Sequence, residues 1–397
     1  MKIGLSTSVI QRGKTGIAQY VFALTRALLD LPDGPEMTLF VLEEDLPLFE
    51  FAGGRARLEV VAEKHRPPVR NILWHQTELP RRVRALGLDV LHVPSYRRLL
   101  WPQPCPTVAT IHDLAPFHVT GKYDWKRMFY GRVIVRQLAR RQSEIIAISS
   151  NTAADIARFF GVPQERLHMI HNGLDHARFH PGDVASARLG SARRHGLDRP
   201  FFLYVSRLEH PGKNHVRLIE AFGSFKAATR SPWQLALGGS DWHGAEAIHA
   251  AAQRSPFASD IRFLGFVSDE ELPSLYRSAG AVVYPSLYEG FGFPPVEAMA
   301  CGCPVLTTHR GALAEVVGDA AAIVDPEDVD AIAVELERLA ADESWRARLV
   351  EAGTKNAARF SWLECARATH EVYRRALSRN SAPIRRKLKK EDFPWIS

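Results

Sequence analysis

One pattern constrains this 397-residue chain more than any other: short apolar runs of strand type alternate with amphipathic helical stretches along most of its length. Such alternation builds parallel sheets with helices packed on both faces. In the first half, runs at 2–8, 37–42, 58–61, 90–93, 107–111 and 145–149 read as strands. Residues 17–31 and 151–160 read as helices, the second stopped by Gly161-Val162-Pro163. The stretch 172–197 is rich in Gly, Pro, His and Arg, has little apolar periodicity, and is the candidate linker. Beyond it strands are expected at 201–205, 234–237, 261–264, 281–284, 304–307 and 321–324. Helices are expected at 216–228, 245–253, 269–278 and 295–300, and two more, 329–340 and 362–378, close the chain.

A chain this long exceeds one ordinary core. The expected organisation is α/β: two doubly wound units, residues 1–178 and 198–361, joined by a linker at 179–197 and followed by a basic tail at 379–397. A ligand crevice is then expected between the units, at the carboxyl ends of both sets of strands. There is no internal repeat of 20–50 residues and no low-complexity tract.

Composition narrows the class. Hydrophobic content of 46% and charged content of 24% describe a globular protein. No apolar stretch reaches the roughly 18–20 residues of a membrane-spanning helix. Met1-Lys2-Ile3-Gly4-Leu5 enters a strand pattern directly, without a charged leader, so a cytoplasmic location is expected. The four cysteines, Cys105, Cys301, Cys303 and Cys365, are too few and too unevenly spaced for a disulfide framework and read as buried small hydrophobes. The net charge of +7 is local. It gathers at Lys122, Lys126, Arg127, Arg132, Arg136, Arg140 and Arg141, and again at Arg385-Arg386-Lys387-Leu388-Lys389-Lys390. No RNA-binding aromatic signature, zinc finger or helix-turn-helix pattern accompanies either cluster, so nucleic acid is not expected as a partner.

The most informative stretch runs from Tyr284 to Gly302. A buried strand ends at Tyr284, a loop carrying Gly290 and Gly292 follows, and Pro294-Pro295 stand where a helix begins. A helix start flanked by glycine amides suits anionic or hydroxyl-rich ligands. Glu289 precedes the loop and Glu297 lies in what reads as the first helical turn, with seven residues between them. Taken alone, Glu297 is equally a carboxylate favoured by the helix dipole.

The string Glu289-Gly290-Phe291-Gly292-Phe293-Pro294-Pro295-Val296-Glu297-Ala298-Met299 resembles the E-x7-E signature of glycosyltransferase family 4, whose members have the GT-B fold. The likeness runs from Gly13 to about Tyr373. Phe202–Leu208 with Lys213-Asn214 is similar to the family's strand–Arg–Lys element, and 261–268 to the loop near its nucleobase pocket. Pro304-Val305-Leu306, Glu315–Ala321, Thr110–Leu114 and His171–Asp175 fit further segments. The resemblance implies two Rossmann-like domains facing each other across a donor-binding cleft, with the 362–378 helix rejoining the first.

It also implies a retaining transfer of sugar from a nucleotide-sugar, of GDP-mannose or UDP-glucose type, to a saccharide or lipid-linked saccharide. Arg207 and Lys213 would neutralise the departing diphosphate, Arg through its planar fork and Lys as a point charge. Glu297 would hold the ribose hydroxyls, and Phe266 and Val267 would border the base. Glu289 would sit by the transferred sugar, whose hydroxyls meet the amides of Gly290, Phe291 and Gly292. In the first domain Gly13 and Gly16 would let the backbone approach phosphates, and His112 would contact the donor sugar. Asp113 would orient that ring or touch the acceptor.

Neither a G-x-x-x-x-G-K-[ST] phosphate loop nor a G-x-G-x-x-G fingerprint is present. The lone D-x-D string, Asp328-Val329-Asp330, opens a helix and reads as a cap, so neither a metal nor a cofactor is expected. On the acceptor side, Trp125, Met128, Phe129, Val133, Val135 and Leu138 follow helical spacing among Lys126, Arg127 and the nearby arginines. Two readings stand open: a core-facing stripe with a solvated outer face, or a basic surface for an anionic membrane or lipid-linked acceptor. Arg66–Arg84, with Trp74, extends the second. Other readings of the whole chain are a soluble glucan or glycoside synthase of the same fold and a catalytically silent nucleotide-binding partner. Retention of Arg207, Lys213, Glu289 and Glu297 argues against silence.

Overall fold

The computed structural model of this chain describes residues 1–13, 15–118, 130–183, 187, 190 and 192–380. Lys126 and Arg127, the stripe residues 125, 128 and 129, and the basic tail from residue 381 on lie outside the described residues.

Seven strands form the first sheet: β1 (Lys2–Ser6), β2 (Glu36–Leu42), β3 (Arg57–Val61), β4 (Val90–Val93), β5 (Thr107–Ile111), β6 (Glu144–Ala147) and β7 (Leu167–Met169). Six form the second: β8 (Phe201–Val205), β9 (Gln234–Gly238), β10 (Ile261–Gly265), β11 (Ala281–Tyr284), β12 (Val305–Thr308) and β13 (Ala322–Val324). Their orders are β3-β2-β1-β4-β5-β6-β7 and β10-β9-β8-β11-β12-β13, every pairing parallel. Both are Rossmann-like, and in each the strand order reverses beside the first strand. The switch points fall between β1 and β4 and between β8 and β11, the places at which doubly wound sheets generally receive ligands.

The central strands are buried along their whole length and mostly apolar because helices cover both faces. Every residue of β4, β5, β9, β11 and β12 is buried. Caps trim several expected boundaries. The first strand ends at Ser6 rather than at residue 8, and β6 ends at Ala147 because Ser149 caps the next helix, accepting from Thr152 N at 3.1 Å.

Among the elements that escaped the sequence reading are the short helix Leu313–Val317 and three others. Helix Pro68–Ala85 begins on a proline at its first position and carries Pro80 inside, which broke the helical pattern. β7 has only three residues. Helix Glu343–Ala357 buries only Leu349, Gly353 and Ala357, and Asp342 caps it by accepting from Trp345 N at 2.8 Å. The stretch expected as a linker is anchored rather than slack: Phe179, Ala192 and Leu197 are buried in the core of the second lobe.

The chain crosses between the lobes twice, side by side. Leu174 bridges Ser361, and Leu174 N donates to the Phe360 carbonyl at 3.3 Å. Helix Trp362–Asn380 then buries Cys365, Ala366, Val372, Tyr373 and Ala376 in the core of the first lobe. A buried polar chain fastens it there: Tyr373 OH lies 2.8 Å from His92 Nδ1, and His92 Nε2 lies 2.8 Å from Thr110 Oγ1. Cys301, Cys303 and Cys365 are buried as expected, whereas Cys105 is only partly so. Among the described residues no helix is long and apolar enough to cross a membrane.

Candidate functional site

The second switch point gathers charge. Arg207 and Lys213 sit on the loop leaving β8, and Glu289 on the loop leaving β11. Lys213 Nζ donates to Glu289 Oε1 at 2.5 Å, and both side chains are 15% exposed. Ser286 Oγ and Tyr284 OH donate to the same oxygen at 2.6 and 3.1 Å. Burial works against the Lys213 charge, but Glu289, Tyr204 and Glu209 together outweigh it and hold the ammonium above its ordinary value. Arg207 is about half exposed, pairs with Glu209 at 3.2 Å and lies over the Trp242 ring at 5.0 Å. The loop is rigidly seated: Tyr204 OH donates to the Lys213 carbonyl at 2.6 Å, and Asn214, at φ 61°, donates to the carbonyls of Pro285 and Pro326.

Glu297 lies deeper. The helix starts at Phe293, two residues before the expected start, because Gly292 at φ 95° turns the chain directly into it. Glu297 therefore stands in the second turn and is 3% exposed. The helix-dipole reading of this residue is corrected accordingly. Desolvation raises its pKa to about 7, only partly opposed by Tyr276 OH, which donates to Oε2 at 3.0 Å.

The facing wall comes from the first lobe. His112 follows β5 directly, and its ring packs edge-on against Tyr20 at 4.7 Å. Burial lowers its pKa to about 4, so the imidazole is neutral at pH 7. Its ring hydrogen-bonds the Pro94 carbonyl, while Nε2 is shut off from solvent with no partner among the described residues. A buried polar atom of that kind calls for a ligand or water. Asp113 Oδ1 accepts from Ala115 N at 3.0 Å.

The lobes meet where the sequence placed the site. Gly290 passes so close to His112 that a Cβ would collide with the His112 carbonyl and crowd Asp113, so glycine is required for the approach. Gly16 opens helix Gly16–Leu29 facing the Phe293 ring, and Gly13 takes φ 82° in the preceding loop. Two polar latches flank this contact. Glu315 accepts from Ser150 N at 2.8 Å, Asn151 N at 3.2 Å and pairs with His171 at 2.7 Å. Against an opposing burial effect, these donors depress its pKa to about 2. Tyr288 OH donates to Asp155 Oδ2 at 2.5 Å, and His118 stacks on the Tyr288 ring at 4.6 Å while also bonding Asp155.

The structure thus brings Arg207, Lys213, Glu289, Gly290, Gly292, His112, Asp113 and Gly16 to one junction, with Glu297 behind it. Val267 is buried in the core that also holds Val296, and Phe291 is buried beside it, whereas Phe266 is 65% exposed. Tyr276 and Glu209 carry no motif of their own and emerge only from the fold, while Tyr284, Ser286 and Glu315 lie in segments the sequence singled out without a role. Asp328 accepts from Ala331 N at 2.9 Å and caps its helix. Among the described residues no three His, Cys, Asp or Glu side chains are grouped to hold a metal.

Comparison with known proteins agrees with this geometry. Residues 14–178 match the profile of Glycosyltransferase Family 4, and residues 191–356 that of Glycosyl transferases group 1. O-antigen chain mannosyltransferase B of Escherichia coli is 30% identical over 387 residues, covering 94% of this chain and 100% of that protein. MMP alpha-(1->4)-mannosyltransferase of Mycolicibacterium hassiacum is 32% identical over 299 residues, covering 70% of this chain and 67% of its own. Among solved structures, Anabaena HepE in complex with UDP and glucose superposes with a TM-score of 0.73 at 21% identity, over 94% of this chain and 98% of that one. Sucrose-phosphate synthase from Thermosynechococcus elongatus reaches 0.76 at 21% identity, over 96% and 100%. Fold and matches together define a glycosyltransferase with the GT-B architecture. Within that class, the chain belongs to glycosyltransferase family 4.

Proposed function

We propose that this enzyme transfers a sugar, with retention and without a metal, from a nucleoside-diphosphate sugar to a saccharide or lipid-linked saccharide in cell-surface polysaccharide or glycolipid assembly. The observation carrying this reading is the Lys213–Glu289 pair at the β8/β11 switch point, with Arg207 on the same loop. A diphosphate leaving group concentrates negative charge as the glycosidic bond breaks. Fixed cations aimed at that charge are the most effective stabilisers available. Arg207 and Lys213 supply them from a loop anchored by Tyr204 and Asn214. Glu297 takes the ribose hydroxyls, and the Gly290–Gly292 amides hold the sugar beside Glu289. His112 Nε2 reaches a sugar hydroxyl from the opposite wall, its missing partner being the motive for that role.

Retention follows in this reading from attack on the leaving-group face, with the departing diphosphate oxygen taking the acceptor proton. Two of the relatives named above are mannosyltransferases, which favours GDP-mannose over UDP-glucose as donor. The enzyme would work at the cytoplasmic face of the membrane.

A donor-hydrolysis panel over common nucleotide sugars, with and without EDTA, tests the reading, since it needs no acceptor. Turnover of one donor, insensitive to EDTA, is expected. Proton NMR of the transfer product should show the donor's anomeric configuration, and an inverted product would overturn retention.

A further inference from the structure

The first lobe has its own switch point, between β1 and β4, and the reading above uses none of the cationic groups there. β4 leads through Pro94 and Ser95 into a short turn, Tyr96–Arg98, while β1 leads to Ser8. The Arg98 guanidinium lies between these exits. Its Nε donates to Asn71 Oδ1 at 2.5 Å, and Ser8 Oγ stands 3.4 Å from that same oxygen. Asn71 is itself fixed, its amide donating to the His65 carbonyl at 3.0 Å. Arg98 Nη1 reaches only the Arg97 carbonyl, at 3.3 Å. Among the described residues Nη2 has no acceptor and the guanidinium has no carboxylate partner.

Among the described residues no hydrogen bond or ion pair supplies a counter-charge. His75 lies with Nε2 2.9 Å from Ser6 Oγ and Nδ1 2.8 Å from the Asn71 carbonyl. Burial, with the Arg98 charge adding to it, lowers its pKa to about 3, so it is neutral. Burial also lowers Arg98, to about 10, yet it keeps its proton at neutral pH. A partly desolvated cation without a counter-ion costs stability. Pinning Asn71 would require only a neutral amide. The same loop that carries Arg98 also carries Pro94, whose carbonyl holds the His112 ring, so the segment leaving β4 serves both groups.

We propose that Arg98, with Ser8 and Asn71, forms a subsite for an oxyanion, phosphate or carboxylate, carried by the acceptor. The proposal rests on the glycosyl-transfer reading and adds to it that the acceptor is charged near its reacting hydroxyl. A guanidinium with free N–H groups matches such an oxyanion in a planar fork. Three acceptor types carry such a charge: a phosphosugar, a lipid-linked diphosphate and an acidic sugar.

The test is calorimetric titration of the full chain, saturated with GDP or UDP so that the donor side is occupied, with inorganic phosphate, pyrophosphate and acetate. Wild type should bind at least one anion, Arg98→Met at least tenfold more weakly, and Arg98→Lys in between. Nucleotide affinity should be unchanged in all three. A preference for pyrophosphate identifies a lipid-linked diphosphate, for phosphate a phosphosugar, and for acetate an acidic sugar. Should Arg98→Met lose nucleotide binding through misfolding, Arg98→Gln, which keeps a donor for Asn71, is read instead. Intact nucleotide binding with equal anion affinity in wild type and the neutral variant overturns the subsite. Absence of nucleotide binding in wild type overturns the glycosyl-transfer reading instead, and a tenfold anion loss in Arg98→Met would then still support the subsite.

Discussion

The two lobes wind their sheets in the same strand order, yet their switch points are furnished differently. At β8/β11, Arg207, Glu209, Lys213 and Glu289 form ion pairs within two adjoining loops. At β1/β4 and the neighbouring end of β5, His75 and His112 are neutral, and Arg98 has no carboxylate partner among the described residues. One lobe arrives with its charges paired and positioned. The other offers, among the described residues, a buried imidazole nitrogen of His112 without a partner and a guanidinium, Arg98, without a carboxylate. The shared fold therefore gives two differently furnished switch points, and on the proposed function the second would handle a departing anion while the first would receive what reacts with it.

The sharpest way to break that contrast is Lys213→Met. It should lower donor turnover about 100- to 1,000-fold, as expected for removing a preorganised charge from a transition state. His112→Ala, on the neutral wall, should cost only about tenfold, since it removes one hydrogen bond to a sugar. Equal losses would erase the distinction between the lobes, and steady-state kinetics on the donor decides it.

Glu297→Gln should weaken nucleoside-diphosphate binding about 10- to 100-fold by calorimetry, the worth of hydrogen bonds to a charged group. A pH signature accompanies it. Because the folded pKa of about 7 exceeds the ordinary 4.5, Glu297 stabilises the unliganded fold below pH 4.5, and that contribution is lost as pH rises through 7. Glu297→Gln should remove this slope from the pH dependence of the melting temperature.

Glu315 behaves in the opposite sense. With its pKa depressed to about 2, its contribution is present above pH 4.5 and fades as pH falls toward 2. Glu315→Gln should cost about 1.5–3 kcal/mol in chemical denaturation, by weakening hydrogen bonds to a charged group that ties the lobes together. The smallest effect belongs to Asp328→Ala, about 1 kcal/mol for a lost helix cap with turnover unchanged. A collapse of turnover there would make Asp328 part of the site.

Much of this was legible along the chain because the signals are local. Buried parallel strands such as Val90–Val93 and Ala281–Tyr284 are short, mostly apolar runs, and Glu289 to Met299 is a contiguous motif. Helix Pro68–Ala85 was illegible because Pro80 interrupts it. The site's internal partners were hidden for a different reason. Lys213 meets Glu289 across 76 residues, Tyr276 meets Glu297 across 21, and Glu315 reaches Ser150 across 165. Such pairs are made by crossovers, and no periodicity encodes them. Glu297 was misplaced by one turn because Gly292, not the prolines, starts its helix.

The central claim is that the charged switch point of the second lobe receives a nucleoside diphosphate at the junction with the first. A crystal structure with GDP or UDP bound tests it most directly. The phosphates should lie within hydrogen-bonding reach of Arg207 and Lys213, with the ribose hydroxyls on Glu297. A nucleotide bound away from that junction, or no measurable affinity for either compound, would contradict it.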